Sequence, residues 1–484
     1  MDIQQLVHLL GPWATGQRPL YRRLTSALHT LILRGDIAPG TRLPAERLLA
    51  EALAVSRSTV MAAYRLLEQE HWIELRQGSG SWVRSLPFGR TYASPVPTAS
   101  FRTPWYLSQT QQDQLIDFSV GTPGPLTEMP ASLFHLSGPD IEQLMTQRGY
   151  TPQGWLPLRQ ALASYYRRWN LPTSAEQILV TTGAQQAISL IATLYLQRGE
   201  RVLLENPTYF GMIDVLRTLR AQLLPLAMDV TGIDRFTLRE QVRETSPRLL
   251  VVSPTFQNPT GMLMPLSVRQ NIAHLSRETK LPVLEDLTFA DVLLDRESPP
   301  PIAAYEQKAT VLSVGSLNKL FWAGLRIGWV RGPEPIIERL AHLKETSDLG
   351  TGLLSQALAL QVLQHLDYIR RARQDELQHK LKLITELVST SIPTSTWRPP
   401  EGGYFLWLRL PGGNALEFAQ VALRHGVVIC PGTLFSVDDS HQAYIRLPFL
   451  LDEETLREGM RRLAQAWETY TIRVLGILHP DHQD

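Results

Sequence analysis

The sequence predicts an α/β protein in two unequal units: a small helical one closed by a glycine hairpin, then a larger one built on a mostly parallel sheet. Three observations predict it. Leu20, Leu24, Ala27/Leu28 and Leu31 recur at helical spacing near the start of the 484-residue chain. Residues 85–115 lose all periodicity and place Pro87, Pro95, Pro97 and Pro104 among Ser, Thr and Ala, as a semi-rigid linker does. From about 116 to 475, short β-branched runs alternate with helical segments, the pattern of a sheet covered by helices on both faces. The expected units are therefore 1–84, a linker over 85–115, and 116–484.

Composition narrows the class. A net charge of +1, 44% hydrophobic residues and 34 prolines fit neither a disordered nor a collagen-like chain. The single cysteine, Cys430, rules out an internal disulfide framework and any multi-cysteine metal site, and no metal is expected. No run of about 18 apolar residues suggests a membrane span, and Met1-Asp2-Ile3-Gln4-Gln5 lacks the layout of a signal peptide. A cytoplasmic protein is expected.

In the first unit, Gly35 and Pro39-Gly40 end the helix that contains Leu20. Ala45 to Leu53 forms a second, short helix. Ser56 is placed to cap a third, whose inner face is Val60, Ala63/Tyr64 and Leu67. Ile73–Arg76 and Ser81–Arg84 then flank Gln77-Gly78-Ser79-Gly80 as two strands around a glycine turn. Helix, turn, helix and glycine wing is the layout of a winged helix-turn-helix. On its third helix, Arg57, Met61 and Arg65 form an outward stripe, and Arg57 can reach guanine edges. Ser58 and Thr59 sit at the helix N-terminus, where backbone N–H groups attract phosphate. Residues 1–90 carry 11 arginines against 7 acidic residues, a local excess suited to phosphates. On pattern alone, a packing module with solvated arginines has the same layout.

The second unit turns on one lysine. The chain has only six, and none precedes Lys280. Unlike arginine, lysine can lose its proton and attack a carbonyl. Lys319 lies in Gly315-Ser316-Leu317-Asn318-Lys319, just past the strand Thr310–Val314 and so at its carboxyl end, where open α/β sheets bind ligands. Ser316 and Arg326 nearby suit a phosphate. Ser-x-x-Lys alone is weak evidence, but further segments fall at strand ends. Thr181-Thr182-Gly183-Ala184-Gln185 follows Ile178–Thr181 and opens a helix, a natural phosphate cradle. Tyr209, in Asn206-Pro207-Thr208-Tyr209, offers a ring to stack on a heterocycle. Asn258, in Gln257-Asn258-Pro259-Thr260-Gly261, offers an amide donor. Asp286, after Leu284-Glu285, offers a carboxylate that can keep a pyridine nitrogen protonated.

These residues carry two resemblances. Gly40-Thr41-Arg42-Leu43-Pro44-Ala45-Glu46-Arg47, Val55-Ser56-Arg57-Ser58-Thr59-Val60 and Gly78-Ser79-Gly80 resemble the DNA-binding domain of GntR-type bacterial regulators over residues 18–84. The resemblance implies that Arg42, Arg47, Arg57, Ser58, Thr59 and the wing Gln77, Gly78, Ser79 and Gly80 touch double-stranded DNA. Asn258-Pro259-Thr260-Gly261 and Ser316-x-x-Lys319, with Gly324-Leu325-Arg326-x-Gly328, resemble the fold-type I aminotransferases that depend on pyridoxal 5'-phosphate, over residues 116–475. That resemblance implies a mostly parallel sheet with a smaller α+β subdomain and Lys319 as the Schiff-base lysine. It implies Asp286 on the pyridine nitrogen, Tyr209 on the ring and Asn258 on its 3-oxygen. Gly183, Ala184, Gln185, Ser316 and Arg326 would hold the phosphate. It also implies Arg446, in Tyr444-Ile445-Arg446-Leu447, as the clamp for an effector carboxylate. Tyr150 would reach the phosphate of a partner subunit, which implies a homodimer. The chain departs from that family at Thr288, where a tyrosine is common, at Asn318, where serine is common, and at Ala323, where proline is usual.

Together the halves resemble the MocR/GabR/PdxR group of bacterial regulators. The implied function is transcription regulation by a protein that senses pyridoxal phosphate or a reactive amino compound. The rival expectation is a working aminotransferase with a DNA-binding appendage.

Overall fold

The computed structural model describes residues 2–11, 13–14, 19–34, 36–38, 40–76, 80–84, 115–124, 126, 134–229, 232–306, 308–438 and 440–473. The expected linker, apart from residue 115, lies outside them, as do Gln77, Gly78 and Ser79 of the expected wing.

The first unit contains α1 (Ile3–Leu10), α2 (Leu20–Arg34), α3 (Glu46–Ala52) and α4 (Arg57–Gln69), then β1 (Ile73–Arg76) and β2 (Gly80–Val83). Ser56 caps α4, its Oγ accepting the Thr59 N–H at 3.2 Å. Val60, Ala63, Tyr64 and Leu67 are buried on the inner face of α4, against Leu24, Leu28 and Leu49. Ile73 pairs with Val83 and Arg76 with Gly80, so the two expected strands form an antiparallel pair, the second running Gly80–Val83 rather than Ser81–Arg84. The unit has one more helix than the sequence reading gave it, α1, whose Leu6, Val7 and Leu10 join the same core.

The second unit has a large and a small lobe. After β3 (Ile116–Asp117), α5 (Gly138–Met145) and α6 (Leu156–Tyr165), the large lobe alternates strand and helix. In order these are β4 (Ile178–Thr181), α7 (Ala184–Tyr195), β5 (Arg201–Asn206), α8 (Phe210–Thr218), β6 (Gln222–Asp229), β7 (Gly232–Ile233), α9 (Arg235–Thr245), β8 (Leu249–Val252), α10 (Leu266–Thr279), β9 (Val283–Asp286), β10 (Val311–Ser316) and β11 (Gly328–Arg331). The strands form one eight-stranded sheet in the order β4-β11-β10-β9-β8-β5-β6-β7. Only β7 and β11 run antiparallel to their neighbours. Alternate strand residues feed two cores, Leu179, Val251, Leu284 and Leu312 on one face and Val180, Leu250, Val283 and Val311 on the other.

Helices α11 (Glu334–Asp348), α12 (Leu353–Gln364) and α13 (Leu366–Ser391) lead to the small lobe. Its antiparallel sheet is built from β12 (Thr396–Trp397), β13 (Phe405–Arg409), β15 (Cys430–Pro431) and β16 (Tyr444–Pro448). Between them lie α14 (Ala415–Arg424) and β14 (Val427–Val428), and α15 (Glu453–Arg473) closes the lobe. β14 pairs with β3 rather than with that sheet.

Candidate functional site

Strand direction builds the site. β4, β5, β8, β9 and β10 all run the same way, because β11 reverses between β4 and β10. Their carboxyl ends therefore share one edge, and the segments that follow converge there. One pocket is lined by Gly183, Ala184, Gln185, Tyr209, Asn258, Asp286, Ser316, Lys319 and Arg326, together with Thr122, Phe256, Thr288, Phe289 and Asn318. A larger groove of about 1010 Å³ lies between α9 and α10 and contains none of the candidate site residues read from the sequence.

On one side the pocket is shaped for an anion. Gly183 has φ +121°, and a Cβ there would lie 3.0 Å from Asn318 Nδ2 and 3.2 Å from an Arg326 guanidinium nitrogen. Only glycine brings the backbone that close to both, at the N-terminus of α7. Ser316 Oγ accepts the Asn318 N–H at 3.2 Å and donates to the Ile327 carbonyl at 3.1 Å, which fixes the turn between β10 and Lys319.

At the centre, burial depresses the Lys319 pKa to about 8. The charge of Arg446 adds to this and Asp286 opposes it. Burial raises the Asp286 carboxyl, against bonds from the Thr288 N–H at 2.9 Å and the Thr288 hydroxyl. Thr288 thus braces the aspartate. Burial also lifts the Tyr209 phenol to about 12, so its ring stays neutral.

Arg446 approaches from the small lobe. It is 2% exposed and lies over the rings of Phe405 at 4.1 Å and Phe435 at 4.8 Å. It donates to Asn258 Oδ1 at 3.2 Å and to the Ser119 carbonyl at 2.6 Å, while its buried Nε has no partner among the described residues. Burial lowers its pKa, and no carboxylate bonds to it among the described residues. A caged cation with an unsatisfied donor suits an incoming anion.

Tyr150 is not brought into this pocket; it is 74% exposed on the surface. In the first unit, Arg42, Arg47, Arg57, Ser58 and Gly80 are exposed and Thr59 is half-buried. Arg57 pairs with Glu46 at 3.2 Å and Arg47 with Glu51 at 3.0 Å, both at the surface, where such pairs are weak. Sequence reasoning missed Thr122, Phe256, Phe289 and the backbone of 119–124; only the Thr288 and Asn318 departures hinted at local rearrangement.

Residues 116–463 match the family described as aminotransferase class I and II, and residues 20–83 match bacterial regulatory proteins of the gntR family. The chain is 32% identical over 470 residues to the uncharacterized HTH-type transcriptional regulator YdfD of Bacillus subtilis, covering 92% of this chain and 95% of that one. It is 29% identical over 377 residues to the 2-aminoadipate transaminase of Thermus thermophilus, covering 74% and 92%. The solved structure of LysN, the α-aminoadipate aminotransferase of Thermus thermophilus complexed with N-(5'-phosphopyridoxyl)-L-leucine, superposes with a TM-score of 0.68 at 27% identity, covering 76% of this chain and 94% of that one.

The chain belongs to the aminotransferase class I and II family, in the MocR-like branch that carries a GntR-type helix-turn-helix ahead of that domain. Aminotransferases of this family depend on pyridoxal 5'-phosphate. The glycine cradle, the neutralisable lysine and the braced aspartate fit that cofactor.

Proposed function

We propose that this chain regulates transcription by reading DNA with its first unit and sensing pyridoxal 5'-phosphate, or an amine bearing a carboxylate, with its second. The observation that carries the proposal is the convergence of Lys319 and Asp286 in one pocket, with Arg446 bonded to Asn258 at its wall. Bound there, pyridoxal phosphate supplies an aldehyde carbon at which amines exchange.

The chain's own residues would do the rest. Gly183, Ala184, Gln185, Ser316 and Arg326 would hold the phosphate through backbone N–H groups, a hydroxyl and a fixed guanidinium. Asp286, braced by Thr288, would keep a proton on the ring nitrogen. Tyr209 would cover the ring and Asn258 would donate to its 3-oxygen. Lys319 would present a neutral amine, because its depressed pKa makes deprotonation accessible near neutral pH. Arg446 would pair with the carboxylate of an amino compound, shielded from water by its aromatic cage.

Arg42, Arg47, Arg57, Ser58 and Thr59, with the wing from Gln77 to Gly80, would contact operator DNA. The protein would act in the cytoplasm as a homodimer, with Tyr150 reaching the partner's phosphate site.

The decisive experiment measures binding of the full chain to its own upstream DNA with and without pyridoxal phosphate, then with amino acids added. The expected result is a change of affinity or footprint with one of these ligands. No change with any of them rejects the sensor. The retained Lys319 also favours a second reading, a working aminotransferase carrying a DNA reader. Sustained conversion of an amino acid and a keto acid would establish that reading instead.

A further inference from the structure

Residues 115–124 cross from the start of the second unit into the pocket. Ile116 and Asp117 pair with Val427 and Val428, and the Phe118 N–H donates to the Val428 carbonyl at 2.8 Å. The segment then gives its backbone carbonyls to two buried arginines and the half-buried Lys319. Ser119 accepts from Arg446 at 2.6 Å, Gly121 from Lys319 Nζ at 2.5 Å, and Gly124 from Arg373 at 2.9 Å. The Tyr404 hydroxyl also donates to Gly121, at 3.0 Å. Arg446 and Lys319 are the two groups through which the pocket would engage a carboxylate and a cofactor. The segment therefore uses the same donors that a ligand needs. An ionised carboxylate accepts a stronger hydrogen bond than a peptide carbonyl, so it competes well for Arg446.

The opposite side of the segment leads to the DNA-reading unit. Its partner strand β14 directly follows α14, and α14 is where that unit rests. Arg424 donates to the Leu53 and Ala54 carbonyls at 3.1 and 3.0 Å, and Trp13 Nε1 donates to Gln420 at 3.3 Å. Leu416 packs on the reader's core. Leu53 and Ala54 form the turn that enters Ser56, the cap of α4. The contact also sets Glu417 near Glu51, and the like charges oppose it.

We propose that residues 116–124 form a two-state strap that couples the pocket to DNA. It stays seated while Arg446 and Lys319 serve its carbonyls and is released when those donors turn to a ligand. Through the pairing of β3 with β14, and through α14, the seated strap sets the position of the reader. This rests on the sensor reading above and names how occupancy of that site is transmitted.

The test uses the full chain with pyridoxal phosphate, alone and with a mixture of the protein amino acids. Hydrogen exchange is followed in peptides covering 115–124 and 415–431, while cofactor absorbance reports that the site is filled. Exchange of the strap amides is expected to accelerate at least about fivefold on filling. In parallel, the ligand-induced ratio of DNA affinities, about tenfold in the wild type, is expected to collapse towards one in Arg424→Ala with cofactor binding unchanged. Unchanged strap exchange at a filled site overturns the strap, and so does a wild-type ratio in Arg424→Ala. If DNA affinity responds while the strap stays quiet, only the strap is lost and the sensor stands. If wild-type DNA affinity ignores a filled site, the sensor reading fails and the strap fails with it. The exchange measurement needs no variant, so a misfolded Arg424→Ala would not remove the test.

Discussion

Arg446 and Asn258 meet across the two lobes, the guanidinium of β16 donating to the amide oxygen that follows β8 at 3.2 Å. One bond thus joins the small-lobe cation to a large-lobe residue that lines the pocket. With Phe405 and Phe435 around it, this guanidinium has a shape that few substitutes can fill.

Arg446→Ala is accordingly expected to retain pyridoxal phosphate while weakening the response to carboxylate-bearing amines about 10- to 100-fold, the loss of a charge-assisted pairing of about 1.5–3 kcal/mol. Absorbance titration with amino acids checks both halves. Arg446→Lys should restore little, because a point charge neither stacks in the cage nor reaches Asn258 and a carboxylate together.

Cofactor capture should follow the ionisation of Lys319. With a pKa of about 8 against the usual 10.5, about a tenth of the amine is neutral at pH 7. The capture rate should therefore rise about tenfold from pH 7 and level off above pH 8–9, a profile that stopped-flow absorbance would resolve. The stability effect has a definite sign. The depressed pKa means the unfolded chain holds the extra proton between about pH 8 and 10.5, so stability should rise with pH across that window. Lys319→Met, expected to capture no cofactor, should melt higher than the cofactor-free wild type at neutral pH.

Asp286→Asn removes the carboxylate proposed to hold a proton on the ring nitrogen and should weaken cofactor retention at least tenfold, measured by dialysis against buffer. Thr288→Ala removes only the brace. A smaller loss is expected, about 1 kcal/mol or roughly fivefold, without change in the DNA-binding unit.

In the reader, Arg57→Ala should lower affinity for every DNA sequence and reduce the salt slope by about 0.9 if Arg57 meets a phosphate. If it reads a base, the loss should be sequence-specific. Glu46→Gln should do the reverse, raising affinity by releasing Arg57 from its surface pair. Ser56→Ala should cost about 1 kcal/mol of stability through the lost cap, seen by thermal melting.

Much of the fold was legible because its strands are buried on both faces and short apolar runs mark them. Ile178–Thr181 matches the expected strand residue for residue on that ground, whereas Ile73–Arg76, buried only at Ile73, was marked instead by the glycine turn that follows it. Where expectation and structure differ, a distant partner decides. β10 runs on through Gly315 and Ser316 because β11 pairs with them from downstream, Gly315 opposite Trp329 and Ser316 opposite Gly328. Helix α1 has no side-chain cap bond at Asp2 and gains its place from Leu6, Val7 and Leu10 packing on the reader. The pocket residues that carry distinctive side chains could be read from their motifs. The strap could not, because Ser119, Gly121 and Gly124 contribute only peptide carbonyls, which every residue type has. Arg424 was equally silent, one arginine among many until the fold set it beside Leu53 and Ala54.

The reversal of β11 divides what can change in this protein from what cannot. A methyl group on Gly328 would stand 2.6 Å from the Gly183 carbonyl carbon, and one on Gly315 would run into the Trp329 ring at 2.3 Å. The anion cradle and the lysine turn are thus locked to either side of one strand, with no slack for a single carbon atom. Divergence towards new signals has little scope there. It is left to the small lobe, where the cage around Arg446 and the passing backbone can be re-cut without disturbing the seat beneath.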